Sequence, residues 1–129
     1  MVTRERFAQG MSMAEYLAQM TANRERFASA IERAVIGPAD AELLDRLGGA
    51  RKVMVITEDW CGTSIMCVPF VAKLVEGRAD VELRVFLRDE NPDLMDQYLK
   101  QGKYRSIPVI AFFDGDMREL ARFIEQRPV

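Results

Sequence analysis

Apolar residues recur along this chain at two periods, and the switches between them mark out its elements. Met13, Leu17, Met20, Phe27 and Ile31 fall near helical spacing behind the capping-box order Ser12-Met13-Ala14-Glu15, which predicts a helix over Met13–Val35. Gly37 and Pro38 end it and open a shorter helix through Leu47, with Leu43, Leu44 and Leu47 facing inward. Gly48-Gly49 makes a turn, and Lys52–Thr57 follows as an apolar, β-branched strand. Gly62–Val75 returns to helical spacing, and Val81–Leu87 alternates as a second strand. Asn91-Pro92 supplies an N-cap and a first-turn proline for a helix ending at Gly102. Val109–Phe113 and Met117–Ile124 then read as a hairpin across Asp114-Gly115. The alternation of strands and helices predicts an α/β chain whose first two strands are parallel, and the hairpin makes it a four-stranded mixed sheet behind two N-terminal helices.

Composition narrows the chemistry. A length of 129 residues with 49% hydrophobic positions fits a single domain, 1–129, with a real core. A net charge of −2 from 18 basic and 20 acidic residues, without long runs of one sign, excludes a nucleic-acid footprint. Charged residues from Arg4 to Arg26 interrupt any apolar leader or membrane span, so a cytoplasmic protein is expected. The chain has no histidine, which removes Ser-His-Asp and Cys-His sites, and two cysteines make a poor zinc set. No metal or cofactor is expected. Gly48-Gly49-Ala50-Arg51-Lys52 precedes a strand, whereas a phosphate loop follows one, so it reads as a turn. The methionines are spread over inward-facing positions and read as core filler.

The chemistry concentrates at Trp60-Cys61-Gly62-Thr63-Ser64-Ile65-Met66-Cys67-Val68-Pro69. Cys61 falls where a buried strand becomes a helix, and unpaired N–H groups with the positive end of the helix dipole favour a thiolate there. Glu58 and Asp59 oppose that effect, and Arg105 supports it if it faces the site. Ser64 lies one turn along, where its hydroxyl can donate to the sulfur. Cys67 is the other thiol. Six residues of helix turn it about 240° and raise it about 9 Å, a Cα separation of about 10 Å against a bridging limit of ~7 Å. Cys67 reads first as a small apolar residue, and as a redox partner only if the helix start unwinds.

This stretch resembles the active site of thioredoxins, a Trp-Cys-Gly-Pro-Cys motif followed by a proline-kinked helix. Trp60, Cys61, Gly62, Met66 and Pro69 match at the same spacing, and Arg105-Ser106-Ile107-Pro108-Val109 stands where that family has its cis-proline loop. The resemblance covers Arg51 to Phe123 and implies a cis Ile107-Pro108 bond. Ser64 replaces the second cysteine, Thr63 the proline between, and Val55 the buried aspartate of the preceding strand. The resemblance therefore implies a thioredoxin-like fold, with a helical part over 1–50 and a thioredoxin-like core over 51–125. The family's last helix has no residues left to form it after Ile124. The sheet face it would cover is then left to the N-terminal helices, to a second subunit in a homodimer, or to chain beyond a fragment.

The expected activity is monothiol disulfide exchange through Cys61, with Ser64 beside it and a secondary role for Cys67. Trp60, Gly62, Thr63, Arg105, Ile107 and Pro108 are the expected substrate contacts, Ile107 by backbone pairing and Pro108 by loop shape as the resemblance implies. The expected partners are a disulfide-containing protein or a small-thiol adduct, with an external thiol as reductant. Two other readings fit the same residues: a non-catalytic polypeptide-binding module, and a peroxide-sensing thiol.

Overall fold

The computed structural model describes residues 1–125, and four strands form its centre in the order β2-β1-β3-β4. They are β1 (Lys52–Thr57), β2 (Glu82–Leu87), β3 (Val109–Phe113) and β4 (Glu119–Ile124). β1 and β2 run parallel with Val55 opposite Val85, whereas β3 is antiparallel to both β1 and β4. The mixed four-stranded sheet is the one the sequence pattern predicts.

Alternation along the strands builds two cores. Val53, Val55, Val85, Ile110 and Phe112 face one side, where they meet Tyr16, Phe27, Leu44, Ile65, Val68 and Leu74 from the helices α2 (Met13–Gln19), α3 (Arg24–Arg33), α5 (Leu43–Arg46) and α6 (Gly62–Glu76), and Met20 just after α2. α3 packs directly on α6. Met54, Ile56, Phe86, Val109, Ala111 and Phe113 face the other side, which is closed by Val2, Phe7, Leu94, Met95 and Tyr98. Both faces are thus covered from within the chain, so the open face that motivated a dimer is filled, and on the α6 side the N-terminal helices fill it. The expectation about a helix after the hairpin concerns residues 126–129, which lie outside the described residues.

Several elements are shorter than the spacing predicts. The helix expected over Met13–Val35 is two, because Asn23 adopts a left-handed backbone (φ 60°) and Met20 leaves the helix in extended geometry. The helix expected through Leu47 divides into α4 (Pro38–Ala41) and α5 at Glu42. The helix expected to reach Gly102 is only α7 (Pro92–Met95), and Gln101 and Gly102 have positive φ. β4 starts at Glu119, because the Asp114 carboxylate accepts from the backbone N–H of Asp116 and Arg118 and the left-handed residue is Met117, not Gly115. A short helix α1 (Arg4–Phe7), capped by Thr3, carries no apolar period and was not expected. Its Arg6 forms a two-bond ion pair with Asp93, which ties the N-terminus to α7. The Ser12 capping box and the Gly48-Gly49 turn, with φ of 98° and 83°, are as read from the sequence.

Residues 10 and 11 lie along β2. Met11 exchanges both backbone hydrogen bonds with Val85, at 2.9 and 2.7 Å. Gly10 is there because a Cβ would stand 2.7 Å from Phe86 Cε2 and 2.9 Å from Arg84 Cβ. Gly10→Ala is therefore expected to destabilise the protein by about 1–3 kcal/mol through overpacking, read as a lower urea midpoint at unchanged slope. A midpoint equal to the native one would show that the contact relaxes.

Candidate functional site

The site forms where β1 ends and α6 begins. Cys61 is the N-cap of α6, and its carbonyl accepts the first helical hydrogen bond from Ile65 N–H at 3.2 Å. Its side chain does not cap the helix. The Cys61 sulfur instead lies 3.7 Å from the carbonyl oxygen of Ile107, to which the thiol donates. The Ile107-Pro108 bond is cis. Strand β1 thus carries the thiol to the loop that precedes β3, and the two segments meet although 46 residues separate them. Cys61 is 7% exposed.

The other expected site residues divide into three groups. Trp60 is 54% exposed, and Gly62 opens the helix with no atom within 4 Å of where a Cβ would stand. Thr63 is half-buried beside them. Ile107 and Pro108 are buried, and the Ile107 carbonyl meets the thiol. Arg105 is the exception to the expected convergence, because its guanidinium makes a two-bond pair with Asp96, at 2.9 and 3.0 Å. That charge is directed to Asp96, and the Arg105 carbonyl is what joins the site.

Ser64 lies one helical turn from Cys61 and is 1% exposed. Among the described residues, its Oγ is a buried side-chain oxygen with no hydrogen-bond partner. Such a hydroxyl costs about 1–3 kcal/mol until it finds an acceptor. Cys67 lies within the continuous helix, half-buried, six residues from Cys61. Pro69 stands in the middle of α6, where it removes one backbone donor and bends the helix.

Four further residues shape the site; of these the sequence pointed to Glu58 and Asp59 only through their charge, and to Tyr16 and Arg88 not at all. Asp59 is the first. One carboxylate oxygen accepts from Thr21 N–H (2.9 Å), Ala22 N–H (3.2 Å) and the Thr21 hydroxyl (3.3 Å), while the Asn23 amide donates to the Asp59 carbonyl at 2.8 Å. The break between α2 and α3 is therefore built around the loop that carries Cys61. A left-handed position occupied by asparagine, which tolerates it better than most residues, was the one signal in the sequence. Glu58 is buried, and its carboxylate accepts from Asp89 N–H at 2.9 Å. Burial raises its pKa, and the charges of Asp89 and Asp59 add to that shift against the pull of the Asp89 N–H and Arg88. Tyr16, packed edge-to-face on Phe27, has its pKa raised to about 12, chiefly by burial, against a hydrogen bond with Thr57. Arg88 stacks over the Trp60 ring, 4.9 Å from its centroid.

With this geometry in place, comparison with known proteins is informative. The family model described as Thioredoxin matches residues 10–128. The chain belongs to the thioredoxin family. The match begins well before Arg51, so the family likeness takes in the N-terminal helices that motif spacing alone left outside it. Among solved structures, a Pseudomonas aeruginosa protein of unknown function has a TM-score of 0.78 at 21% identity, covering 99% of this chain and 79% of that one. An HIV epitope-scaffold protein has a TM-score of 0.75 at 19% identity, covering 95% and 77%. At these identities the likeness is one of fold. No curated protein matches the sequence. Among the described residues no helix is long and apolar enough to cross a membrane. Within this thioredoxin fold, the thiol, the cis-proline loop and the exposed indole occupy one end of the sheet.

Two outcomes follow from the loop contacts. Asp59→Ala removes the acceptor of two backbone N–H groups and is expected to cost about 1–2 kcal/mol, as loss of a helix cap does; urea unfolding measures it, and Asp59→Asn should cost less. Glu58 binds its proton more tightly in the folded state. Between the ordinary value of 4.5 and the raised one the native state therefore holds more protons than the unfolded state, and stability falls as pH rises through that window. Glu58→Gln keeps an acceptor for Asp89 N–H and should remove this decline; in unfolding midpoints measured across the acid range, parallel curves would show that Glu58 adds no pH dependence, and a native curve rising relative to the variant's would reverse the sign.

Proposed function

We propose that this protein carries out monothiol disulfide exchange, with Cys61 as nucleophile and protein disulfides or small-thiol adducts as substrates. The observation that carries the reading is the meeting of the Cys61 sulfur, at the start of a 15-residue helix, with the Ile107 carbonyl at 3.7 Å. Helix N-termini favour a thiolate, and in thioredoxin-like proteins the backbone beside the cis-proline pairs with an extended substrate, a role that falls here on Ile107.

The reaction balances with one protein thiol. Cys61 gives its proton to solvent, and its thiolate attacks one sulfur of the substrate disulfide. The Cys61–substrate S–S bond forms as the original S–S bond breaks, and the departing sulfur takes up a proton. An external thiol then attacks the substrate-side sulfur of the mixed disulfide and releases Cys61. A second external thiol attacks that new mixed disulfide, so the substrate leaves fully reduced and two external thiols leave joined. A reducing cytoplasm supplies such thiols. Ser64 supports the first step, since its buried hydroxyl has no partner and an anionic sulfur one turn away gives it an acceptor.

A second reading has its own support. Cys61 is 7% exposed, and its thiol donates to a carbonyl, which suits a protein that binds polypeptide at Trp60 and the Pro108 loop without exchange. Disulfide reduction by the native protein, Cys61→Ser, Cys67→Ser and Ser64→Ala separates the two. Exchange requires that Cys61→Ser abolish the activity, that Cys67→Ser keep most of it, and that Ser64→Ala slow it by roughly tenfold, the value of one charge-assisted hydrogen bond. Equal loss in Cys61→Ser and Cys67→Ser overturns the monothiol reading, and no reduction by the native protein leaves the binding module.

A further inference from the structure

Arg88 is the side chain that joins the two walls of the Cys61 site. It follows directly after β2, at the start of a 3-10 turn over Arg88–Glu90. Its guanidinium lies 4.9 Å from the Trp60 ring centroid, Nη1 donates to the Arg105 carbonyl at 3.2 Å, and Nε donates to the Asp89 carboxylate at 3.0 Å. The same corner sends Asp89 N–H to Glu58 at 2.9 Å. The residues on either side of Asp59 are therefore both attached to the corner after β2, and Arg88 reaches on by a hydrogen bond to the loop before Pro108.

An indole 54% exposed has several rotamers open to it in water. A cation stacked on its face selects one of them, and only a planar, forked guanidinium can stack on a ring while donating along two other directions. The Arg88 side chain is 23% exposed, so this junction is partly withdrawn from solvent. Its position sets the separation of Trp60 from the backbone at Arg105, with Cys61 between them in sequence and against Ile107 in space.

We propose that Arg88 is a positioning residue for polypeptide disulfides: it holds Trp60 and the Arg105–Pro108 loop at a separation that seats a chain segment spanning both, with its disulfide at Cys61. This rests on the exchange reading above and adds to it the residue that favours its polypeptide substrates over small disulfides. A small disulfide touches the sulfur alone and draws little from the walls, whereas a peptide draws on both. The step itself is unchanged: the Cys61–substrate S–S bond forms, the substrate S–S bond breaks, and the leaving sulfur takes up the proton that Cys61 released.

The test compares two disulfides that share one leaving thiol. One is an extended peptide with its single cysteine in mixed disulfide with 2-mercaptoethanol, and the other is bis(2-hydroxyethyl) disulfide. Second-order rates of adduct formation at Cys61 are measured by mass spectrometry for the native protein, Arg88→Ala and Arg88→Lys. In Arg88→Ala the peptide-to-small rate ratio should fall by roughly tenfold, the scale of a displaced reacting geometry, and Arg88→Lys should recover part of it. Trp60 is the chain's sole tryptophan, so acrylamide quenching reports the indole directly and should rise in Arg88→Ala. If the native protein reacts with neither disulfide, the exchange reading fails and this inference with it. If the native protein reacts while the ratio or the quenching in both variants matches it, this inference alone is overturned.

Discussion

One carboxylate oxygen of Asp59 accepts two backbone N–H groups and a hydroxyl from residues 21 and 22, and the shape of the site depends on that contact. A helix break leaves backbone donors without partners, and the chain meets them with a side chain from the loop that carries Cys61. The break holds the loop, the loop satisfies the break, and Tyr16 and Phe27 close the apolar layer between them.

The same economy runs through both faces of the sheet. On the α6 side the N-terminal helices provide the cover, with α3 against α6. On the other side Val2 and Phe7 come from the N-terminus and Leu94, Met95 and Tyr98 from the segment after β2, joined by the Arg6–Asp93 pair. That pair is half exposed and contributes little on its own. The apolar contacts of Val2, Phe7, Leu94, Met95 and Tyr98 do the covering, at about 1.5–3 kcal/mol for a fully buried large side chain.

At the site, the local electrostatics are arranged around a single sulfur. Its thiol donates to the Ile107 carbonyl, and one helical turn along the buried Ser64 hydroxyl has no hydrogen-bond partner. Carboxylates at 58 and 59 stand close in sequence, yet Asp59 is wrapped in donors and Glu58 is held by Asp89 N–H, so neither charge is left bare beside the sulfur.

The resemblance to thioredoxins implied that the start of the Cys61 helix meets the Pro108 loop, and the amino-acid sequence by itself determined the strands, the sheet they form and the helix that begins at Cys61. These rest on local signals: period, β-branching, turn residues and the spacing of two motifs. It also overextended the helices at 13–35 and 92–102, because apolar spacing continues across a break that only a distant partner stabilises. Only the tertiary structure decided that Arg105 turns to Asp96, that Arg88 stacks on Trp60, and that Asp59 anchors the α2–α3 break. Each is a hydrogen bond or ring contact between polar groups brought together by the fold, and 9 to 38 residues separate the partners. Such pairs carry no period, so no local pattern of hydrophobic and polar positions encodes them.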